Sequence, residues 1–319
     1  MIVQHSESGM ALRDYLQKQF PKLPKYDISF ALERGHVQVD GKVLWNDELL
    51  LKKNQTVIFA THVYPTIGEV AAMIAYEDEQ LLIINKPFNI PSQPTADRGR
   101  KNMVDLLRDF IWQRDHKVFV PGVVHRLDKD TTGLTIYLKD HRLHAPINKM
   151  FQEHRIQKTY LAKVAGVPKP ESGVWESELS EFPDPETKRV ISRQAVAYQG
   201  VIPAQAGIPV LPKGNPPPFG GAGMTEAVQK FRHAKTSYKV LNKLDAACIL
   251  QLEPASGRMH QLRVHCAEAG CAILGDVLYA PPEFRRYPSM HLHAWRLKFQ
   301  HPGTRKDLLV EAAPPFLLA

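Results

Sequence analysis

Residues 122–134 read GVVHRLDKDTTGL and set the carboxylate of Asp128 among His125, Arg126 and Lys129. An aspartate among cations is ordinarily a salt-bridged surface residue or a turn residue, so its meaning depends on the elements around it. From Gly133 onward GLTIYLKD reads as a strand, and upstream the run 81–84, LLII, reads as another, stopped by Pro87. Between them MVDLLRDFIWQ carries Met103, Leu106, Leu107 and Phe110 at helical spacing, and LHAPINKMFQEH further on is a second helix. KTYLAKVAG, SYKVLN, ACILQLEP and MHLHAWRLKF follow as strands, and RMHQLRVHCAEAG as a helix capped by Gly270. Strands in successive pairs with few helices between them predict an α+β domain on a mixed, mostly antiparallel sheet rather than a doubly wound parallel one.

The first sixty residues form a pattern of their own. Leu12, Tyr15, Leu16 and Phe20 in GMALRDYLQKQF, then Ile28, Ala31 and Leu32 in KYDISFALERG, predict two short helices, the second ended by Gly35. HVQVDGKVLW follows, with Val37 and Val39 alternating up to Asp40-Gly41, a two-residue hairpin signal. Arg13 and Arg34 lie near the helices and suggest a basic face, the alternative being a solvated amphipathic pair. The expected organisation is therefore a small helix-helix-hairpin domain over 1–62, a linker over 63–75 and a large domain over 76–319. Within the last, a stretch at about 198–223 is so rich in Pro and Gly that it reads as a flexible insertion between strands.

Composition narrows the partners. The 319 residues hold 41 Lys+Arg against 33 Asp+Glu, a formal net charge of +8, which favours polyanions and nucleic acid before anionic membrane. No apolar run approaches the roughly 20 residues of a membrane span and no signal-peptide pattern opens the chain, so the expected location is the cytoplasm. Three cysteines, Cys248, Cys266 and Cys271, sit in apolar or helical patterns and read as core residues rather than as disulfides or a metal site. A glycine-rich phosphate loop, HExxH and a nucleophile elbow are all missing, which removes the commonest nucleotide-dependent and hydrolytic chemistries. What remains is Asp128 with basic and aromatic residues. An aspartate that works ionised while partly buried needs an arginine to hold its pKa down, and on spacing alone many arginines qualify.

The blocks GVVHRLDKDTTGL, KTYLAKVAG, ASGRMHQLRVHCAEAGCAILGDVLY and LHAWRLKFQHP, in this order and opened by IINKPFNIP, resemble the pseudouridine synthases of the large-subunit ribosomal RNA group. ALERGHVQVDGKV resembles the S-four RNA-binding domain. The resemblance implies isomerisation of uridine to pseudouridine in structured RNA, most naturally large-subunit ribosomal RNA, by a monomer needing no metal, nucleotide or redox cofactor. It makes Asp128 the catalytic carboxylate, Arg263 its partner and Tyr160 the aromatic against the uracil. Arg126 enters the RNA where the base left, and His125, Lys86, Arg258 and His260, with Arg13 and Arg34 of the first domain, are expected RNA contacts. An extruded base costs a few kcal/mol, which stacking on an aromatic ring and filling the vacated space offset, and a planar guanidinium suits the second role. The plain alternatives are a turn cap for Asp128, a core aromatic for Tyr160, a packed helix face for Arg263 and His265, and a domain-stabilising role for Lys86. The alternative functions are a transfer-RNA pseudouridine synthase, a non-catalytic ribosome-assembly factor, and a hydrolase using Asp128 with His125. KPFNIP departs from the family in lacking a glycine after its lysine-proline pair, and DTTG has threonine where serine is frequent.

Overall fold

In the computed structural model the N-terminal helix forms where the spacing predicts it. Helix α1 (Leu12–Gln19) buries Leu12, Tyr15 and Leu16 and leaves Arg13 exposed. The hairpin forms too: β1 (Val37–Val39) pairs antiparallel with β2 (Lys42–Val43) across Asp40-Gly41, and β3 (Val57–Phe59) completes the sheet. Both turn residues have positive φ, 51° and 76°, the requirement of a type I′ turn that an Asp-Gly pair meets. The structure describes residues 1–21, 28–29, 31–32, 36–44, 48–59, 64–95, 101–193 and 230–317. Most of the second expected helix, Arg34 and the Pro/Gly-rich insertion lie outside them.

The described residues fall into two compact units, Met1–Gln157 with His293–Leu318, and Lys158–Leu292. In the first, β4 (Ile74–Glu77), β5 (Leu81–Lys86) and β7 (Thr132–Leu138) lie antiparallel in sequence, with β6 (Gly122–Val123) also on β7. β13 (Leu292–Gln300) joins β7 in parallel, and β14 (Asp307–Glu311) pairs antiparallel with β13. Both faces of this sheet are covered. Leu82, Ile84 and Tyr137 share one apolar cluster with helix α3 (Met103–Asp115) and with Leu12, Tyr15, Val37 and Val57. Leu81, Ile83, Leu134 and Ile136 share another with Ile147 and Met150 of α4 (His144–Gln152). Burial on both faces is why LLII runs without alternation, and each such side chain contributes about 1.5–3 kcal/mol. The first cluster also runs across the boundary expected at 62/63.

The second unit carries an antiparallel sheet in the order β10 (Ser192–Arg193), β9 (Ser172–Ser180), β11 (Phe231–Lys243), β12 (Ala247–Pro254), β8 (Gln157–Ala165). Helix α5 (Gln261–Glu268) packs Val264 into a cluster with Leu179, Val190 and Ala234. The chain is thus mixed α+β, as expected, with the parallel pair of β7 and β13 set among antiparallel ones. Six strands were not anticipated, β3, β4, β6, β9, β10 and β14. Nor was α2 (Ile67–Ala72), which lies in the expected linker and starts on a capping box in which Thr66 and Glu69 bond each other's backbone N–H.

Candidate functional site

In the first unit the chain leaves β6 at Val123 and re-enters the sheet at Thr132, so residues 124–131 carry Asp128 outside any strand ladder. Other groups satisfy that loop's backbone. Leu127, 6% exposed, donates its N–H to Ser92 Oγ at 3.0 Å and accepts the Ser92 hydroxyl at its C=O at 2.9 Å. The Asp128 C=O accepts from Thr131 N–H at 3.1 Å. Lys86, fully buried, donates from Nζ to the C=O groups of Pro87, Ile90 and Lys129, each at 2.9 Å. An ammonium has three donors, and these carbonyls engage them. The phosphate contact expected of Lys86 is therefore corrected: a fully buried ammonium bonded to three carbonyls ties the 87–90 turn to the Asp128 loop.

His125 is half-buried: its Nε2 accepts from Ile136 N–H at 2.9 Å and its ring lies 5.0 Å from that of Phe151, which anchors the start of the loop. Arg126 is exposed and Asp128 half-buried. Beyond the loop, His293 Nε2 donates to the Ala312 C=O at 2.9 Å, which leaves Nδ1 to accept the Thr132 hydroxyl at 2.7 Å. Burial holds the His293 pKa down to about 4. Gly133 has φ +108°, and a Cβ there would stand 2.3 Å from the Ala294 carbonyl oxygen, so β7 meets β13 through a residue that only glycine can supply.

In the second unit Tyr160 stands on β8 opposite Leu252 and is 8% exposed. Two residues earlier on the strand, hence on the same side, burial lowers the pKa of Lys158. A Cβ on Gly257 would meet Lys158 Nζ at 3.7 Å. Lys158 belongs beside Tyr160 and was overlooked in the sequence, although the two-residue spacing is the signal that finds it.

Arg263 on α5 is buried, and its Nε and Nη2 donate to Asp276 Oδ2 and Oδ1, both at 2.7 Å, with side-chain exposures of 3% and 0%. Burial would raise the Asp276 carboxyl, but the hydrogen bonds and charge of Arg263 outweigh it and hold that pKa below the usual value. Asp276 Oδ1 also accepts the N–H groups of Leu278 and Tyr279. The guanidinium lies 5.1 Å from the Tyr279 ring centre. Tyr279 Oη accepts from Val190 N–H at 2.7 Å and sits 2.9 Å from His260 Nδ1, which gives His260 a partner inside the unit. Asp276 was also overlooked, because a lone aspartate in LGDVLY carries no spacing signal toward Arg263. Arg258 is exposed, with Nε donating to the His233 C=O. His265 spans Ser177 Oγ and Thr236 Oγ1, each at 2.9 Å, and burial holds its pKa down to about 4.

Among the described residues no group of three or more His, Cys, Asp or Glu is gathered as a metal centre needs, and no helix is long and apolar enough to cross a membrane. The three cysteines are buried and unpaired by disulfides.

A family model described as RNA pseudouridylate synthase matches residues 80–268. The chain is similar to ribosomal large subunit pseudouridine synthase C of Escherichia coli K12, at 27% identity over 96% of this chain and 90% of that protein. It is similar also to ribosomal large subunit pseudouridine synthase D of Nitrosomonas europaea, at 26% identity over 97% of this chain and 82% of that protein. Among solved structures, human RNA pseudouridylate synthase domain containing 4 shares the fold at 21% identity, with a TM-score of 0.56 over 79% of this chain and 92% of that one.

Proposed function

The chain belongs to the RNA pseudouridylate synthase family, and we propose that it isomerises specific uridines of large-subunit ribosomal RNA with Asp128 as the catalytic carboxylate. The observation that carries the assignment to Asp128 is the loop around it: the C=O groups of residues 127, 128 and 129 are held by Ser92, Thr131 and Lys86. Such a loop fixes where the half-buried carboxylate stands, and placement is what a reaction without external reagents needs. The choice of ribosomal RNA is supported by the relatives of Escherichia coli and Nitrosomonas europaea, whose names specify the large ribosomal subunit and which match 96% and 97% of this chain.

The target uridine is extruded from its stack, at a cost of a few kcal/mol. Tyr160 offers a face to the uracil, and the exposed Arg126 fills the gap and meets phosphate. The reaction breaks the bond from ribose to uracil nitrogen, lets the base turn, and forms a carbon–carbon bond to the same ribose, so atoms balance within one nucleotide. By the family resemblance Arg263 supplies the charge that opposes Asp128, and its guanidinium is held by Asp276 through Nε and Nη2. Arg258 carries an RNA contact, and Lys158 takes the phosphate contact first expected of Lys86. Residues 1–62 serve as an S-four-like docking domain, with Arg13 on the exposed side of α1, and the protein works in the cytoplasm.

The test is a pseudouridine map of ribosomal and transfer RNA from cells lacking the protein, with rescue by wild type and by Asp128→Asn. Loss of defined large-subunit sites, restored only by wild type, is expected. Lost sites confined to transfer RNA would reassign the substrate, and equal rescue by the variant would return the protein to an RNA-binding assembly role.

A further inference from the structure

We infer that Ser92 is a positioning residue for Asp128, an inference that rests on the reading of Asp128 as the catalytic carboxylate. The peptide groups of a buried residue must find hydrogen-bond partners, and Leu127 lies in the 124–131 loop, where no neighbouring strand supplies them. One hydroxyl takes the place of a strand. Leu127 N–H donates to Ser92 Oγ at 3.0 Å, and the Ser92 hydroxyl donates to the Leu127 C=O at 2.9 Å. A serine hydroxyl carries one donor and two acceptor lone pairs, so both bonds form at once.

Ser92 is itself anchored. It is 2% exposed, and its own C=O accepts the Tyr137 hydroxyl at 2.8 Å. Tyr137 is fully buried in the middle of the sheet, in register with Leu82 of β5 and Val123 of β6. The peptide entering Asp128 is thus referenced to β7 through two side-chain bonds, Tyr137 to Ser92 and Ser92 to Leu127. On the far side Lys86 holds the Lys129 C=O. Of the two clamps only Ser92 is small and uncharged, so its removal neither buries an unpaired charge nor opens more than a hydroxyl-sized space. It is the clamp whose loss tests placement apart from folding.

The experiment compares wild type with Ser92→Ala, Ser92→Thr, Tyr137→Phe and Asp128→Asn. It measures single-turnover pseudouridine formation, RNA affinity and melting temperature on large-subunit ribosomal RNA transcribed in vitro. A displacement of about 1 Å in a reacting group costs on the order of 100-fold in rate. Ser92→Ala is therefore expected to lower the single-turnover rate roughly 10- to 100-fold with RNA affinity unchanged. Ser92→Thr, which keeps the hydroxyl, should recover most of that rate, and Tyr137→Phe should fall between. A wild-type rate in Ser92→Ala beside an inactive Asp128→Asn would overturn the role of Ser92 alone. So would equal losses in Ala and Thr that follow their melting temperatures. Should Ser92→Ala not fold, a wild-type rate in folded Tyr137→Phe would overturn it as well. A wild-type rate in Asp128→Asn would sink the reading of Asp128 itself.

Discussion

Asp128 and Arg263 are held in opposite ways. Around Asp128 the protein grips the main chain, with Ser92, Thr131 and Lys86 bonding the carbonyls of residues 127, 128 and 129. The carboxylate itself is half-buried. Arg263 has its main chain in helix α5, and the protein grips its head group, with Asp276 taking Nε and Nη2 at 2.7 Å in a buried pair. On the proposed reading of Asp128 as the reacting carboxylate, its position is set through the peptide on either side. On the same proposed reading Arg263 supplies a fixed field and can be locked at the charge itself, since stabilisation then needs no reorganisation during the reaction.

The contrast is broken most directly by Asp128→Asn, which should lower pseudouridine formation at least about 10³-fold and leave the melting temperature within a few degrees, because the loop is held through its backbone. A melting point that collapses with activity would show that the carboxylate, too, is structural. Asp276→Ala is the converse. Removing one partner of a buried ion pair costs about 3–5 kcal/mol, so urea unfolding should report a loss of about that size before any assay does. A change below about 1 kcal/mol would mean that the pair is solvated and that Arg263 is not locked as described.

Acid sharpens the comparison because both units hold buried histidines whose pKa burial lowers, among them His293 near the Asp128 loop in the first and His265 on α5, with His291, in the second. Burial lowers the pKa values of His293 and His265 from 6.5 to about 4, helped in His265 by His233. The unfolded chain takes up these protons first. Each histidine therefore contributes its full stability above about pH 6.5 and loses it as pH falls toward 4, roughly 3 kcal/mol apiece. Unfolding free energies measured from pH 7.5 to 4.5 should decline, and His293→Gln should remove the share of the slope that belongs to the first unit. A flat profile over that window would contradict the neutral, buried state of both.

Much of this was readable from residue patterns. Helices α1, α3 and α4 show 3.6-residue spacing, and the Asp40-Gly41 turn is dictated by the positive φ it needs. β9 escaped notice because its inward side includes Ser177 beside Trp175 and Leu179, so apolar alternation is broken by a polar residue whose partner, His265, is 88 positions away. α2 carried a legible Thr66–Glu69 cap but is only six residues long, too short for periodicity to register. Lys86 was open to two readings, since a lysine beside a proline looks alike whether it meets phosphate or carbonyls. Only burial distinguishes them.

The sequence by itself determined the family, the α+β class and the identity of Asp128, Tyr160 and Arg263 as candidates, because these rest on residue types at short, ordered spacings within local blocks. Tertiary structure alone decided what holds them. Ser92 reaches Leu127 across 35 residues, Lys86 reaches Lys129 across 43 and His293 reaches Thr132 across 161. The physical reason is that a buried hydrogen-bond donor or acceptor is satisfied by whatever group the fold brings within about 3 Å, and separation along the chain carries no record of that.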